Sequence, residues 1–253
     1  MSGYVCQLIL TLKMALVPWT YNNPRTSSSR DAVRQFVFGG HLVEVLQDFS
    51  ADIDVTKNTE RKLWDGSFLL TRYLEHAAVF PAGFWSDRHC IELGAGCGLT
   101  GLVAWLLGAR VTLTDLPSAT EHTKRCVSAN VDRLGETSAF LSERSSAIQV
   151  KDYTWGSVQD LQHLSPPYDV VFGSDIVYSA DSSDSLVEAL RVLCGPRTLV
   201  LMSYKARGLG EDVFFTNLAN SGFTVTCVPQ EFHPTDFVNS EYYIYRISKS
   251  ANK

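Results

Sequence analysis

The residues with the clearest capacity for chemistry form one run, His89-Cys-Ile-Glu-Leu-Gly-Ala-Gly-Cys-Gly-Leu-Thr-Gly101. It reads as an apolar strand, a glycine turn and the start of a helix. Glycines there let backbone N–H groups approach a ligand closely, and a helix start favours negative charge. A second apolar run ends at Asp115, twenty-one residues after Gly94. A carboxylate at that spacing can accept hydrogen bonds from both ribose hydroxyls of a nucleoside. Three readings fit this pair of features. Gly96-Cys-Gly98-Leu-Thr-Gly101 matches the dinucleotide fingerprint G-x-G-x-x-G. A purely structural turn is the second. The third is S-adenosylmethionine, which carries a sulfonium and an ammonium and no phosphate. Glu92, expected at the strand tip, favours the third, because a carboxylate suits a cation and is awkward for a pyrophosphate. In the dinucleotide pattern, moreover, the first glycine comes directly off the strand, whereas here Gly94 already stands two residues before Gly96.

The elements that must position these residues follow from periodicity. Phe36 and Phe38, then Leu42 and Val45, flank Gly39-Gly40 and predict a β-hairpin over 34–47. Apolar residues at helical spacing predict a helix over 65–79, ended by Pro81 and Gly83. Strands are then expected at 89–93, 110–114, 147–150, 168–173, 198–202, 223–228 and 241–247. Helices fall between them at 99–107, 119–134, 183–194 and 213–220. Strands alternating with helices predict an α/β fold, a doubly wound and mostly parallel seven-stranded sheet. The last two strands have no helical pattern between them, so an antiparallel final strand is expected. Residues 31–253 read as one domain with an N-terminal hairpin, and 1–30 as an extension.

Composition sets the outer bounds. The 253 residues are 45% hydrophobic, 11% aromatic and 19% charged, enough apolar mass for a folded core. A net charge of −5 disfavours a general electrostatic grip on nucleic acid. Cysteines at 6, 90, 97, 126, 194 and 227 form no C-x-x-C pair and no familiar zinc spacing, so no metal is expected. They read as reduced thiols in a cytoplasmic or nuclear protein. No run is long and apolar enough for a membrane span. Residues 1–30 contain no acid but hold Lys13, Arg25 and Arg30, a faint transit-peptide composition.

Taken together, the chain resembles the seven-strand class I methyltransferases, and within them methyltransferase family 16, over residues 34–248. The hairpin pattern from Phe36 through His41 to Gln47 is similar to that family's. So are Trp64-Asp65 leading to Tyr73-Leu74, the Glu92–Gly98 loop, Thr114-Asp115, Tyr153-Thr154-Trp155-Gly156 and Asp175-Ile-Val-Tyr178. The resemblance implies S-adenosylmethionine as methyl donor, held by Trp64, the backbone of Gly94, Ala95 and Gly96, Asp115, Trp155 and Ser174. Ser174 stands where the family commonly has alanine. It implies lysine in a protein substrate as the acceptor, an AAA ATPase or a chaperone being the candidates. Asp175 would orient the lysine, and Tyr178 would offer it a hydroxyl or an aromatic face. Other expectations kept open are a small-molecule or nucleic-acid methyltransferase and a silent donor-binding scaffold. Ser165-Pro-Pro-Tyr168 looks like the proline motif of base-directed enzymes, but it precedes its strand rather than following it.

Overall fold

A computed structural model describes residues 31–49, 61–208, 211–238 and 241–250. The N-terminal extension expected at 1–30 lies outside the described residues. Strands β1 (Val33–Phe38) and β2 (His41–Leu46) form an antiparallel hairpin around Gly39 and Gly40, both at positive φ. The first strand buries Phe36 and Phe38 as expected. In the second the buried residues are Val43 and Val45, while Leu42 is exposed. The tight turn sets this phase: Phe38 pairs with His41 and Phe36 with Val43, so Val43 shares the core face with Phe36.

Helix α1 (Asp65–Leu74) stops five residues before the expected end. Beyond it the chain turns twice, with His76 N–H donating to Tyr73 and Phe80 N–H donating to His76. These turns direct Phe80 and Trp85 into the core, so the apolar spacing past Leu74 marks burial rather than helix. The remaining order is β3 (His89–Leu93), α2 (Leu99–Leu106), β4 (Arg110–Asp115), α3 (Thr120–Thr137), the short α4 (Ala139–Glu143), β5 (Ile148–Asp152), the single turn α5 (Val158–Leu161), β6 (Tyr168–Ser174), α6 (Ser183–Leu193), β7 (Cys194–Lys205), α7 (Glu211–Asn220), β8 (Phe223–Cys227) and β9 (Tyr242–Lys249).

The seven-stranded sheet has the order β5-β4-β3-β6-β7-β9-β8. Strands β3 to β7 are parallel, and β9 runs antiparallel between β7 and β8. The expected pairing of the last two strands holds, with the final one inserted inside its partner. Strand β7 is far longer than the 198–202 core recognised in the sequence, because Cys194 still pairs with Tyr168 beyond a register shift.

Successive residues of the central strands supply opposite faces. Cys90, Val170 and Phe172 join α1, α2, α3 and the hairpin in one apolar cluster. Ile91, Leu93 and Val171 join α6 and α7 in the other. This period of two is what makes the sheet a two-sided core. The hairpin is tied to α3 by Asn130, whose Nδ2 donates to Glu44 O and whose Oδ1 accepts from Glu44 N–H. It is tied to α1 by Arg72, which donates to Val37 O and lies 4.2 Å over the Phe38 ring.

Candidate active site

Where β3 and β4 end, the chain makes a compact hydrogen-bonded knot. Ala95 N–H donates to Thr114 O, and Thr114 Oγ1 donates to Glu92 O. Gly96 N–H donates to Asp115 Oδ2 at 2.8 Å, and Leu116 N–H donates to Oδ1 at 2.8 Å. Gly94 and Gly96 hold φ of +59° and +52°. A side chain at Gly94 would also press Ile176 Cγ2 at 2.7 Å. Only glycine fits both the conformation and the space there. Asp115 thus sits at the strand end with its carboxylate turned to the loop. Two accepted hydrogen bonds still leave a carboxylate with lone pairs to offer a ligand.

The loop opens into a cavity of about 350 Å³. That lies within the usual range for small-molecule sites, roughly 300–1,000 Å³. Its wall includes Trp64, Gly94, Ala95, Gly96, Asp115, Trp155, Ser174, Asp175 and Tyr178. Nine of the ten residues singled out in the sequence therefore meet in one place. Tyr153 N–H donates to Asp115 O, which brings the turn carrying Trp155 against the loop.

Glu92 is the exception, and its expected place at the strand tip is corrected. It belongs to the same strand face as Cys90, so it points under the loop toward α2 and is fully buried. Its Oε2 accepts from Gly101 N–H at 2.8 Å. Burial pushes its carboxyl up to about 8, which favours the neutral form, and its position under the loop keeps it from the cavity where a cation would bind. Its place is to tie the first turn of α2 to the sheet.

Asp175 is held more firmly than its expected lysine-orienting role suggests. Its backbone adopts φ +54°, a left-handed conformation that aspartate tolerates better than most residues. Oδ2 accepts from Gly66 N–H at 2.8 Å in the first turn of α1, and Oδ1 accepts from Lys205 N–H at 3.2 Å at the end of β7. A Cβ at Gly66 would overlap Asp175 Oδ2. Ser203 Oγ donates to Gly66 O, so α1, β6 and β7 are laced together at this point. This lacing places Trp64, the residue before α1, at the cavity rim.

Arg207 completes the rim. Its Nη1 lies 3.1 Å from Asp175 Oδ1, and its guanidinium lies 5.5 Å from the Trp64 ring. Nothing in the spacing of the sequence pairs Asp175 with Arg207, thirty-two residues apart. Tyr178, on the same cavity wall as Asp175, is half-exposed. Further wall residues that sequence reasoning passed over include Lys62, Ser67, Cys97, Ile176, Ser182 and Ser185. All but Lys62 are small or apolar residues, and these leave no chemical signal in a sequence; no spacing rule marks a single lysine. The Pro166-Pro167 dipeptide lies before β6, at the opposite edge of the sheet from the cavity, and its peptide bond is cis.

A family model described as lysine methyltransferase matches residues 47–221. The chain is 32% identical over 240 residues to protein N-lysine methyltransferase METTL21A of Danio rerio, covering 94% of this chain and 98% of that one. It is 34% identical over 201 residues to EEF1A lysine methyltransferase 3 of Mus musculus, covering 79% and 73%. Among solved structures it is similar in fold to a TehB-like SAM-dependent methyltransferase from Corynebacterium glutamicum. That match has a TM-score of 0.51 and 14% identity, over 72% of this chain and 87% of the other.

Proposed function

The chain belongs to the lysine methyltransferase family and is an S-adenosylmethionine-dependent protein-lysine methyltransferase; on that premise we propose that the cavity between Trp64, the glycine loop and Trp155 is its donor site, and that the Asp175 side receives the acceptor lysine. The observation that carries this assignment is the convergence on one cavity of the Asp115 carboxylate, the Gly94–Gly96 backbone and two indoles, with Asp175 and Tyr178 on the same wall. The residues present fit the donor. Asp115 has acceptor capacity for ribose hydroxyls, and Trp64 and Trp155 offer flat apolar faces to a purine. Glu92 lies outside the wall.

S-adenosylmethionine, when bound, supplies a methyl group made electrophilic by its sulfonium. The chain's own task is to present a neutral lysine amine in line with that methyl and to keep water away. A lysine ammonium has an ordinary pKa near 10.4 and must lose a proton first. A lone carboxylate beside it would work against this, since an opposite charge favours the ammonium. Arg207 balances Asp175, so the pair attracts and orients the side chain without strongly holding its proton. The proton leaves to solvent through the mouth, and the Tyr178 hydroxyl accepts a hydrogen bond from the amine. Asp175 is thereby a positioning residue for α1 and Trp64 as well as a contact for the acceptor.

The acceptor protein is one of a short set. An elongation factor of the EEF1A type is named for two of the relatives. An AAA ATPase and a chaperone are the other candidates, carried over from the family resemblance of the sequence. A cytoplasmic or nuclear setting is part of the same proposal, supported by five free cysteines among the described residues. Nucleic acid is disfavoured as acceptor by the net charge of −5 and by the position of Pro166-Pro167.

Calorimetry with S-adenosylmethionine tests the donor site, with one site per chain expected. Labelled-methyl transfer into the three candidate proteins and into a whole-cell extract, followed by mass spectrometry, tests the acceptor. Label on lysine Nζ is expected. Label confined to nucleic acid or to small molecules would overturn the reading.

A further inference from the structure

Behind the cavity wall, three side chains far apart in sequence meet at one buried point. Cys97 leaves the glycine loop toward α3, where His122 and Cys126 stand one helical turn apart. All three are buried, at 5%, 4% and 1% exposure. Their donor atoms lie within 4.8 Å of one another, the one such group with this composition among the described residues. Cys97 Sγ is 3.7 Å and Cys126 Sγ 3.5 Å from His122 Nε2. The Leu46 carbonyl oxygen, at the end of β2, is 3.2 Å from Nε2 and 3.5 Å from Cys126 Sγ.

We propose that Cys97, His122 and Cys126, with the Leu46 carbonyl oxygen as fourth ligand, form a structural zinc site. A tetrahedral zinc with bonds of about 2.3 Å to sulfur and about 2.0–2.1 Å to nitrogen has ligand-to-ligand edges of roughly 3.4–3.8 Å. The four separations above lie on or close to that range before any metal is added. A hydrogen-bonded cluster accounts for them less well. A protonated Nε2 donates one good hydrogen bond, yet two sulfurs and a carbonyl oxygen crowd around it. Two soft sulfurs and an imidazole also suit zinc far better than magnesium or calcium.

Charge and protons balance. Each thiol releases its proton to solvent on binding, and the two thiolates cancel the charge of the dication, so the buried site is neutral overall. His122 binds through Nε2 as neutral imidazole with its proton on Nδ1. Arg125 Nη2 now lies 3.4 Å from Nδ1, and this exposed side chain turns to solvent when Nδ1 carries the proton.

Such a site would do a specific mechanical job. It clamps the residue after Gly96 to α3 and to the hairpin, adding one point common to all three where the other polar ties are pairwise: Thr123 Oγ1 donates to Gly96 O, and Asn130 and Arg133 bond the hairpin at Glu44 and Leu42. The donor loop is then held from behind, and metal removal loosens it.

The test uses the full chain, expressed in zinc-supplemented medium and dialysed against metal-free buffer. Elemental analysis is expected to find about one zinc per chain. Cobalt(II) added to the chelator-stripped wild type is expected to give thiolate-to-cobalt charge-transfer absorption and the visible bands of a tetrahedral centre. Cys126→Ser and His122→Asn should each bring zinc content near zero, whereas Cys227→Ser, at an exposed cysteine, should leave it at one. A wild type lacking stoichiometric zinc and giving a featureless cobalt spectrum would overturn the proposal, as would a Cys97–Cys126 disulfide in the purified protein. The cobalt titration needs no variant, so it decides the matter even where a substitution prevents folding. None of these readouts depends on methyl transfer.

Discussion

Asp115 and Asp175 are both buried carboxylates at strand ends, yet they do different work because of what already occupies their oxygens. Asp115 is engaged by two amides of its own loop and keeps acceptor capacity toward the cavity. Asp115→Ala removes two charge-assisted hydrogen bonds to a ribose and also frees the Gly96 and Leu116 amides of the donor loop, so donor affinity falls by at least about 3 kcal/mol, or roughly a hundredfold. Calorimetry checks this, and affinity within threefold of wild type would contradict the role. Asp175 bonds two amides of other elements and a guanidinium. Replacing it by alanine would strand those amides, at about 1–3 kcal/mol each, and confuse folding with catalysis. Asp175→Asn keeps the size and one acceptor. It is expected to leave donor affinity within about twofold while lowering turnover by up to about a hundredfold, through misplacement of the acceptor. Single-turnover rates with saturating donor separate the two effects.

The elements around the site are held by a few polar contacts between pieces of chain distant in sequence. The hairpin is the clearest case. Its aromatic face packs on α1, with Phe36 and Phe68 rings 5.2 Å apart, and its register against α3 rests on the buried Asn130, with Arg133 donating to Leu42 O nearer the surface. Asn130 is 1% exposed and satisfies both the N–H and the C=O of Glu44. Asn130→Ala leaves these groups without partners in a closed space. The expected loss is about 1–3 kcal/mol, which for a chain of this size lowers Tm by about 2–4 °C per kcal/mol. Thermal melts with and without donor check it. An unchanged Tm would mean that the aromatic face and Arg133 hold the hairpin without Asn130.

For the molecule as a whole, Glu92 couples stability to pH. Its folded value of about 8 stands well above the ordinary glutamate value near 4.3, with burial the first cause. Between those limits the folded protein holds a proton that the unfolded chain has lost. The contribution is therefore full below pH 4.3 and fades as pH rises through 8, with a slope of at most about 1.4 kcal/mol per pH unit. Glu92→Gln keeps an acceptor for Gly101 N–H and removes the titration. Wild type should lose Tm between pH 6 and 9 more steeply than the variant, so the difference grows with pH in favour of glutamine. Parallel curves for the two proteins would show that Glu92 is ionised in the folded state.

The linear order of residues was sufficient for the architecture and for most of the wall. Alternating periods of two and 3.6 report which face each residue buries, and that is a local property written along the chain. The glycine loop, Asp115 and Asp175–Tyr178 were legible because their chemistry depends on residue type at the ends of recognisable strands. Only the tertiary structure decided what those groups face. Glu92 turned from the cavity to α2 because strand alternation fixes its side, Asp175 proved to be paired with Arg207, and β9 took a place inside β8. Cys97, His122 and Cys126 likewise met only when the loop was laid across α3. Each of these is a contact between segments whose separation in sequence carries no spacing rule, so sheet order and helix packing had to be formed before the partners existed.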